Sequence, residues 1–320
     1  MNLSIKYLRV LVLLSILIIV IESYKLLTSF RDPEKKEIFK KNIPKIVNVR
    51  SFEMPLRTYF AGEEVPTHYF DVKESLDKEL LRVAYWHSQT ALYMKRATRY
   101  FPIIEKILSE NNIPDDFKYL AIAESGLDAQ ALSYKKAKGY WQFLKKTAKY
   151  YGLEVNKEVD ERCDIEKSTK AACKYFKDAY RKFGTWSLVA ASYNRGMGGI
   201  NRQLKAQNVD DYYDLRLNTE TSRYLFNIVS LKLVISYPEN FGFFIDEKDK
   251  YKPLPTYPIK INGGIKNLVK FAEKYSTNYK IIRKLNPWLR QKYLTNSKKK
   301  EYVIKIPRKG FRDCKKRNNK

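Results

Sequence analysis

Apolar residues recur at three- and four-residue intervals along most of the chain, from about Ser75 to about Tyr237. This spacing places them on one side of an α-helix, and the strict alternation that is typical of strands is nearly absent in this region. Glycines punctuate the pattern and indicate short connections between successive helices. The pattern therefore predicts an all-α region with short loops.

The pattern changes after a charged and then proline-rich stretch, DEKDKYKPLPTYPIK, which is typical of a linker. Beyond it, TYPIKI and EYVIKIP predict two strands. Two short helices are predicted between these strands, in IKNLVKFAEKYS and NYKIIRKLNPWL. The C-terminal part is therefore predicted to be a β-α-α-β unit of about fifty residues.

The first two dozen residues show a third pattern, in which Lys6 and Arg9 precede an apolar stretch from Val10 to Ile21. Positive charge followed by an apolar run is typical of an export signal, although this run is short for a bilayer span. No small-residue cleavage site and no cysteine for lipid attachment follow it. We expect export, with the segment serving either as a cleaved signal or as a membrane anchor.

These patterns divide the chain into segments with different expected roles. A length of 320 residues with 44% hydrophobic content is sufficient for two folded units. The predicted segments are a signal peptide or anchor (1–23), a linker (24–60), a helical domain (61–245, with its core at about 105–237), a second linker (246–255), the β-α-α-β module (256–308) and a basic tail (309–320).

The chain is strongly basic, with 62 Lys and Arg against 35 Asp and Glu and a formal net charge of +27. Such a surplus indicates either a solvated surface or an anionic neighbour, such as nucleic acid, lipid head groups or an acidic polymer. The basic residues are spread widely, and the densest run is the tail from Lys298. We expect the tail and the C-terminal module to hold the protein near an anionic envelope by charge that salt screens.

The cysteines and histidines do not form a metal-binding pattern. Cys163, Cys173 and Cys314 lack the spacing of metal ligands, and His68 and His87 are the only histidines. We therefore expect no metal and no other cofactor. A small buried thiol is the ordinary expectation for Cys173, and an oxidising compartment would allow a disulfide between Cys163 and Cys173.

One carboxylate stands out in the helical region. Residues 114–125 predict a helix with Pro114 in its first turn and Gly126 at its end, and the apolar face of this helix ends in Glu124. Removal from water and the negative end of the helix dipole would both raise the pKa of this carboxyl group. A protonated glutamate can donate a proton to a leaving oxygen. The alternative is a solvent-facing glutamate at a frayed helix end.

Two further segments carry polar groups near small or aromatic residues. KAKGYWQFLKKTAKYYGL predicts a helix with Gln142 in its first turn. GTWSLVAASYNRG predicts a helix with Thr185 as its N-cap and Gly196 as its stop, in which Tyr193 ends the buried stripe. Both helices carry alanines, which allow close approach of two backbones. We therefore expect these helices to pack together and to bring Glu124 and Tyr193 to the mouth of one cleft.

The motifs ESGLD, GYWQF and SYNRG, in this order, resemble those of the family 1 lytic transglycosylases. Over about 60–245 the chain is most similar to the D type of membrane-bound murein transglycosylases, and the block from YPIKI to NPWL resembles a LysM-like module more loosely. The resemblance implies a mainly α fold: a lysozyme-like (goose-type) catalytic domain followed by a small α+β (β-α-α-β) LysM-like module.

The resemblance also implies roles for individual residues. Glu124 matches the catalytic acid/base, and its neighbour Ser125 matches a residue that orients the glutamate or the substrate. The residues that match substrate-binding positions are Ser125, Gln142, Tyr193, Asn194 and Tyr224. The second motif reads Gly-Tyr-Trp-Gln where the commonest form reads Gly-Leu-Met-Gln, and we expect this aromatic variant to alter the floor of the groove.

The implied reaction is cleavage of the β-1,4 bond between N-acetylmuramic acid and N-acetylglucosamine in peptidoglycan, without water, giving 1,6-anhydromuramic ends during cell wall turnover. Glycosidases ordinarily use two carboxylates, but the motif helices offer only Glu124, which would act first as acid and then as base with help from the substrate's acetamido group. Asp128 lies in a loop, where we expect a structural Asx turn. The expected partners are glycan strands and, through the N-terminal segment, the membrane, and the expected state is a monomer.

Three other functions fit parts of the sequence. A muramidase-type hydrolase on the same scaffold would give reducing ends instead of anhydro ends. A non-catalytic peptidoglycan-binding protein is opposed only by the presence of Glu124. A helix-turn-helix nucleic-acid module in LVKFAEKYSTNYKIIRKLN is opposed by the export signal and by the flanking strands. We therefore expect no nucleic-acid partner.

Overall fold

The computed structural model describes residues 2–29 and 50–312, and the chain divides into two compact units between Ser51 and Phe52. The first unit contains helix α1 (Asn2–Ser29). Within the described part of the chain, no helix combines the length and the apolar character that crossing a bilayer requires. Most of the predicted first linker, Cys314 and the end of the basic tail lie outside the described residues.

The second unit is mainly helical up to the second linker, which confirms the all-α prediction for most of this region. Three short 3-10 turns supplement its α-helices, at Glu161–Cys163, Pro238–Phe241 and Glu247–Asp249. The α-helices in this region are α2 (Phe70–Tyr85), α3 (His87–Glu110), α4 (Phe117–Ser125), α5 (Lys145–Tyr150), α6 (Ile165–Phe183), α7 (Trp186–Arg195), α8 (Met197–Gln207) and α9 (Thr219–Ser236).

The helix α6 shows how local sequence sets the boundaries and packing of an element. The side chain of Asp164 accepts hydrogen bonds from the backbone N–H groups of Glu166 and Lys167, which caps its start. Gly184 ends the helix with φ +76°, a conformation that glycine adopts without steric cost. On the buried face, the ring of Phe176 lies 4.4 Å from that of Phe117, centroid to centroid, in the middle of the core.

A β-hairpin that the sequence pattern did not predict precedes the helices. Strands β1 (Thr58–Phe60) and β2 (Glu63–Val65) pair antiparallel, with Phe60 and Val65 in the core. The carboxylate of Glu63 accepts hydrogen bonds from the N–H groups of Trp186 (2.5 Å) and Ser187 (2.9 Å) at the start of α7. The hairpin therefore caps α7, whereas Thr185 makes no side-chain capping bond.

The same hairpin is tied to the start of α4. One carboxylate oxygen of Asp116 accepts hydrogen bonds from the N–H of Ala61 and from Lys232 of α9, both at 2.7 Å. Helix α4 begins at Phe117 rather than near residue 114, because residues 114–116 form a turn before it. Its predicted end is confirmed, since Gly126 adopts the left-handed conformation.

The prediction of a helix with Gln142 in its first turn is wrong. Residues 139–143 form tight turns, and α5 starts only at Lys145. Gly139 has φ +84°, and a Cβ there would lie 1.9 Å from the carbonyl oxygen of Arg162. A long-range contact that no local pattern encodes therefore holds this segment in a non-helical conformation.

The C-terminal module confirms the predicted β-α-α-β order. Strands β3 (Thr256–Ile261) and β4 (Tyr302–Pro307) pair antiparallel in a register that matches Thr256 with Pro307. Between them lie α10 (Leu268–Lys274) and α11 (Tyr279–Leu285), which Asn267 and Asn278 cap with their side chains. The module has its own hydrophobic core, to which the central part of the chain contributes Val159 and Cys163.

Both described cysteines are buried free thiols. Cys163 belongs to the core of the C-terminal module and Cys173 to the core of the helical domain, so they are not joined in a disulfide. Burial raises the pKa of each thiol from 9.0 to about 12, which keeps both protonated.

Candidate functional site

A cavity of about 560 Å³ lies where the C-terminal ends of α4 and α7 approach the first turns of α9. It brings together most of the residues that the sequence predicted for the site. Those that line it are Glu124, Gln142, Tyr193, Asn194 and Tyr224. Helix α9 packs against both small-residue helices, α4 and α7, and the polar groups at their ends therefore surround one opening.

Glu124 is half-buried on the wall of this cavity. The hydroxyl of Tyr224 donates a hydrogen bond to its Oε1 atom. The pKa of Glu124 is raised from 4.5 to about 7, mainly by burial; the hydrogen bond from Tyr224 lowers the pKa, and the nearby charge of Glu220 raises it. Near neutral pH, a substantial fraction of Glu124 is therefore protonated and can act as a proton donor.

Two tyrosines flank this carboxyl group. Burial, and then the charge of Glu124, raise the pKa values of Tyr193 and Tyr224 well above 10, so both rings carry neutral hydroxyl groups at physiological pH. The hydroxyl of Tyr193 donates to the carbonyl of Trp141 at 2.7 Å. This bond links α7 to the turn that carries Gln142.

Gln142 reaches the cavity from a backbone position with φ +47°. Its amide nitrogen donates to the carbonyl oxygens of Ala131 (3.0 Å) and Gly139 (2.9 Å). These two bonds fix the orientation of the side chain. Since few non-glycine residues adopt this backbone conformation, the surrounding contacts must maintain it.

The motif residues Tyr140 and Trp141 do not lie on the floor of the groove, contrary to the expectation for the aromatic variant. Trp141 is fully buried and donates from its indole nitrogen to the hydroxyl of Thr169 at 2.9 Å. Tyr140 is also buried, with its ring centroid 5.2 Å from that of Tyr100. Both rings pack into the protein interior, and neither lines the cavity.

Ser125 is the predicted site residue that the structure does not bring into the cavity. Its hydroxyl lies 2.7 Å from the carbonyl oxygen of Tyr140 and 3.1 Å from that of Ala121, with both oxygens as acceptors. It therefore connects the last turn of α4 to the turn that carries Gln142. An orienting role for Ser125 stays a prediction, and direct binding of substrate has no geometric support.

Sequence reasoning missed three charged residues of the cavity: Lys135, and Glu220 and Arg223 in the first turns of α9. Glu220 accepts a hydrogen bond from the amide of Asn194 at 2.9 Å. Arg223 donates to both oxygens of the buried Glu79, at 2.5 and 3.0 Å. An acid in a first helical turn ordinarily complements the helix dipole, so the sequence carried no distinctive signal for Glu220.

The expectation for Asp128 is confirmed. Its Oδ1 atom accepts a hydrogen bond from the N–H of Gln130 at 2.8 Å, which closes an Asx turn, and Arg96 lies 3.6 Å from its other oxygen. Asp128 is absent from the lining of the cavity. In the ranges that the structure describes, no group of three or more acidic, histidine or cysteine side chains is arranged to hold a metal ion.

Comparison with known families assigns the two folded parts of the chain. Residues 101–215 match the transglycosylase SLT domain, and residues 257–310 match the soluble lytic transglycosylase C-terminal LysM-like domain. The chain is therefore a protein with a transglycosylase SLT domain followed by a LysM-like module.

Two individual relatives are similar to the chain over part of their length. Membrane-bound lytic murein transglycosylase D of Escherichia coli (strain K12) is 29% identical over 188 residues, which cover 57% of this chain and 41% of the relative. A putative tributyltin chloride resistance protein of Alteromonas sp. (strain M-1) is 31% identical over 110 residues, which cover 34% of this chain and 53% of that protein. The chain thus matches about two fifths of the length of transglycosylase D.

Two solved structures are also similar in part. One is an inactive mutant of the lytic transglycosylase Slt from Pseudomonas aeruginosa, with a TM-score of 0.35, 18% identity, and coverage of 48% of this chain and 26% of that one. The other is the 70 kDa soluble lytic transglycosylase SLT70 from Escherichia coli, with a TM-score of 0.38, 17% identity, and coverage of 54% and 33%.

Proposed function

We propose that this protein is a peptidoglycan lytic transglycosylase, which cleaves the β-1,4 bond between N-acetylmuramic acid and N-acetylglucosamine and leaves a 1,6-anhydro end. The observation that carries the proposal is Glu124, a carboxyl group with a pKa near 7 on the wall of a cavity. The transglycosylase SLT domain over residues 101–215 supports the same substrate class.

In the first half of the proposed reaction, Glu124 acts as a general acid. Its proton passes to the glycosidic oxygen as the bond to the anomeric carbon breaks, and the substrate's acetamido group stabilises the resulting cation. Tyr224 donates its hydrogen bond to Oε1, which leaves Oε2 for the proton that is transferred. The same bond stabilises the carboxylate that remains after the transfer.

In the second half, the Glu124 carboxylate acts as a base. It takes the proton of the muramyl 6-hydroxyl while the 6-oxygen attacks the anomeric carbon and closes the anhydro ring. The carboxyl group returns to its protonated form, and no water is consumed. Gln142, Tyr193 and Asn194 are assigned to holding the sugars, since each presents a polar side chain to the cavity.

The second carboxylate in the cavity favours one alternative, a hydrolase on the same scaffold. Glycosidases that hydrolyse their substrates ordinarily use two carboxyl groups, and Glu220 lines the same cavity as Glu124. We assign Glu220 an electrostatic role, because Asn194 holds its carboxylate and its charge helps to keep Glu124 protonated. The products distinguish the two reactions.

The test is incubation of purified sacculi with the wild-type protein and with Glu124→Gln, followed by mass analysis of the released muropeptides. We expect anhydro ends from the wild type and a loss of at least about a thousandfold in rate from the variant, which cannot donate the proton. Asp128→Asn makes the same carboxyl-to-amide change outside the cavity and should retain activity. Reducing ends in place of anhydro ends would establish the hydrolase.

We also propose that the protein works in the cell envelope, on glycan strands. The relative in Escherichia coli is named as membrane-bound, and the apolar N-terminal segment with its preceding positive charges has the order of an export signal. Fractionation of cells that express the full chain tests this proposal, and recovery with the cytosolic fraction would contradict it.

A further inference from the structure

The segment 156–163 of the helical domain contributes to the hydrophobic core of the LysM-like module. It lies between α5 and α6 in the helical domain, yet the side chains of Val159 and Cys163 are buried in the core of the LysM-like module. Val159 forms a β-bridge with Leu289 of the module. The core of the module therefore includes side chains of the helical domain at this segment.

Hydrogen bonds of the main chain join the same segment to the module. The N–H of Asp160 donates to the carbonyl of Trp288, and the N–H of Arg290 donates to the carbonyl of Glu158, both at 2.8 Å. The main chains at 158–160 and 288–290 therefore pair through hydrogen bonds, as neighbouring strands do.

Side chains reinforce this junction at its exposed edge. The carboxylate of Glu158 accepts hydrogen bonds from the N–H (2.6 Å) and the hydroxyl (2.8 Å) of Thr295. The guanidinium of Arg290 donates to the carbonyl of Asn156 at 2.6 Å. The junction thus has an apolar centre and a polar rim, like an ordered protein interface.

The same segment also makes hydrogen bonds to the turn that carries Gln142. Arg162 donates to both carboxylate oxygens of Asp160, at 2.8 and 2.9 Å, and both side chains are buried. Its remaining Nη1 donor reaches the carbonyl oxygens of Phe143 (3.0 Å) and Lys136 (3.1 Å). One guanidinium therefore bridges the two ends of the loop 136–143.

The loop 136–143 forms part of the wall of the cavity. It supplies Gln142 directly, and its carbonyl groups anchor the hydroxyls of Tyr193 and Ser125. The backbone of Arg162 also contacts Gly139 so closely that a side chain there would collide with it. A displacement of Arg162 would therefore move several groups of the site together.

We propose that the LysM-like module is a positioning element of the active site. The module holds the segment 156–163 in place, and Arg162 of this segment holds the loop 136–143 through its hydrogen bonds. Arg162 is thus a positioning residue, and the module contributes to turnover as well as to any hold on the cell wall. The effect on turnover rests on the proposed transglycosylase function, whereas the mechanical coupling does not.

The simpler view is that the module only binds glycan, for example through the open groove beside α10 that Lys270 and its neighbours line. In that case, changes at the junction would alter binding to the wall and leave the loop 136–143 as it is. The two views differ in the rate of amide hydrogen exchange that they predict for the loop 136–143, which can be measured without substrate.

The experiment measures amide hydrogen exchange in the full chain, together with kcat and KM on a short soluble glycan fragment. The variants are Arg162→Lys, which retains the charge but loses the fork of donors, and Glu158→Ala/Arg290→Ala, which removes only side-chain contacts at the junction. The matched control is Lys260→Ala/Glu301→Ala, which also removes one basic and one acidic side chain, from an exposed ion pair of the module away from the junction.

We expect exchange in the loop 136–143 to accelerate about tenfold or more in Arg162→Lys and about threefold or more in the double junction variant, while α9 keeps its protection. We expect kcat to fall by similar factors with KM changed less than about twofold. The control variant Lys260→Ala/Glu301→Ala should match the wild type in amide exchange of the loop and in kcat.

Unchanged exchange in the loop and unchanged kcat in the double junction variant would overturn the inference. This variant also decides the question if Arg162→Lys fails to fold, because it changes only partly exposed side chains. An inactive wild type would refute the proposed function alone, since the exchange measurement would still report whether the module holds the loop.

Discussion

The protonation of Glu124 depends on two neighbours that act in opposite directions. The hydroxyl of Tyr224 stabilises the carboxylate by a hydrogen bond, whereas the negative charge of Glu220 stabilises the protonated acid. A residue that must donate a proton and then recover one benefits from a pKa close to the ambient pH. Burial raises the pKa most, and the balance between these two neighbours adjusts the value.

This balance gives a prediction for the pH dependence of activity. Wild-type kcat/KM should fall as the pH rises through about 7, because Glu124 then loses the proton it must donate. Tyr224→Phe should move this decline to higher pH, and Glu220→Gln should move it to lower pH. Rate measurements on soluble glycan from pH 5 to 9 check the directions, and shifts of the same sign would contradict the assignment.

The raised pKa of Glu124 also predicts how stability varies with pH. Between 4.5 and about 7 the folded state binds more protons at this group than the unfolded state does. The wild type should therefore lose about 3 kcal/mol of unfolding free energy relative to Glu124→Gln across this window, and little more above it. Urea unfolding of both proteins at several pH values measures this difference, and a constant difference would show that the carboxyl group is solvated.

At the scale of elements, a short hairpin sets the positions of the two helices whose ends carry the site. Glu63 caps α7, and the N–H of Ala61 donates to Asp116 at the start of α4. A carboxylate at a helix N-terminus satisfies free N–H groups and interacts favourably with the helix dipole. The hairpin therefore holds the N-terminal ends of α4 and α7, while the cavity lies at their C-terminal ends.

Glu63→Gln should therefore reduce both stability and activity. We expect a loss of about 1–2 kcal/mol in unfolding free energy, because a neutral amide accepts these bonds more weakly than a carboxylate does. Thermal unfolding measures this loss, and Glu64→Gln, a neighbouring exposed position on the same strand, is the matched control. Equal effects of the two changes would exclude capping as the cause.

The elements that the sequence predicted best are those with a strong helical period and a local stop signal. The end of α4 at Gly126 and the end of α7 at Gly196 followed from such signals, and so did the meeting of Glu124 with Tyr193. Three-residue strands with mixed polar and aromatic residues have too little alternation to be recognised, so the hairpin was missed.

The parts of the site that could not be predicted depend on contacts between distant residues. Gln142 lies in a turn instead of a helix because Arg162 and Gly139 hold the chain there, and no local preference indicates this arrangement. Glu220 reaches the cavity only because α9 packs across the ends of α4 and α7. The motif resemblance supplied the candidate site residues, while tertiary packing decided which side chains line the cavity.

At the scale of the whole molecule, the positive charge of the chain predicts association with anionic surfaces. Replacing Lys315, Lys316 and Arg317 by serine should weaken binding to vesicles with anionic lipid at low salt, and the difference should vanish at high salt. Co-sedimentation with vesicles measures this binding.

The control for that prediction removes the same number of charges elsewhere, by replacing Lys170, Lys174 and Lys177 of α6, which are all exposed. An equal loss in both variants would show that the whole surface, rather than the tail, provides the attraction. Truncation from Lys298 is unsuitable, because it removes β4 and with it the buried side chains of Tyr302, Ile304 and Ile306.

The shared core at Val159 and Cys163 has a consequence for biosynthesis. The ribosome makes Glu158 long before its partner Thr295, which follows it by 137 residues. A polypeptide that stops before β4 therefore leaves an apolar surface of the helical domain uncovered. Quality-control proteases recognise such surfaces, so prematurely terminated products should be degraded instead of persisting as a free helical domain.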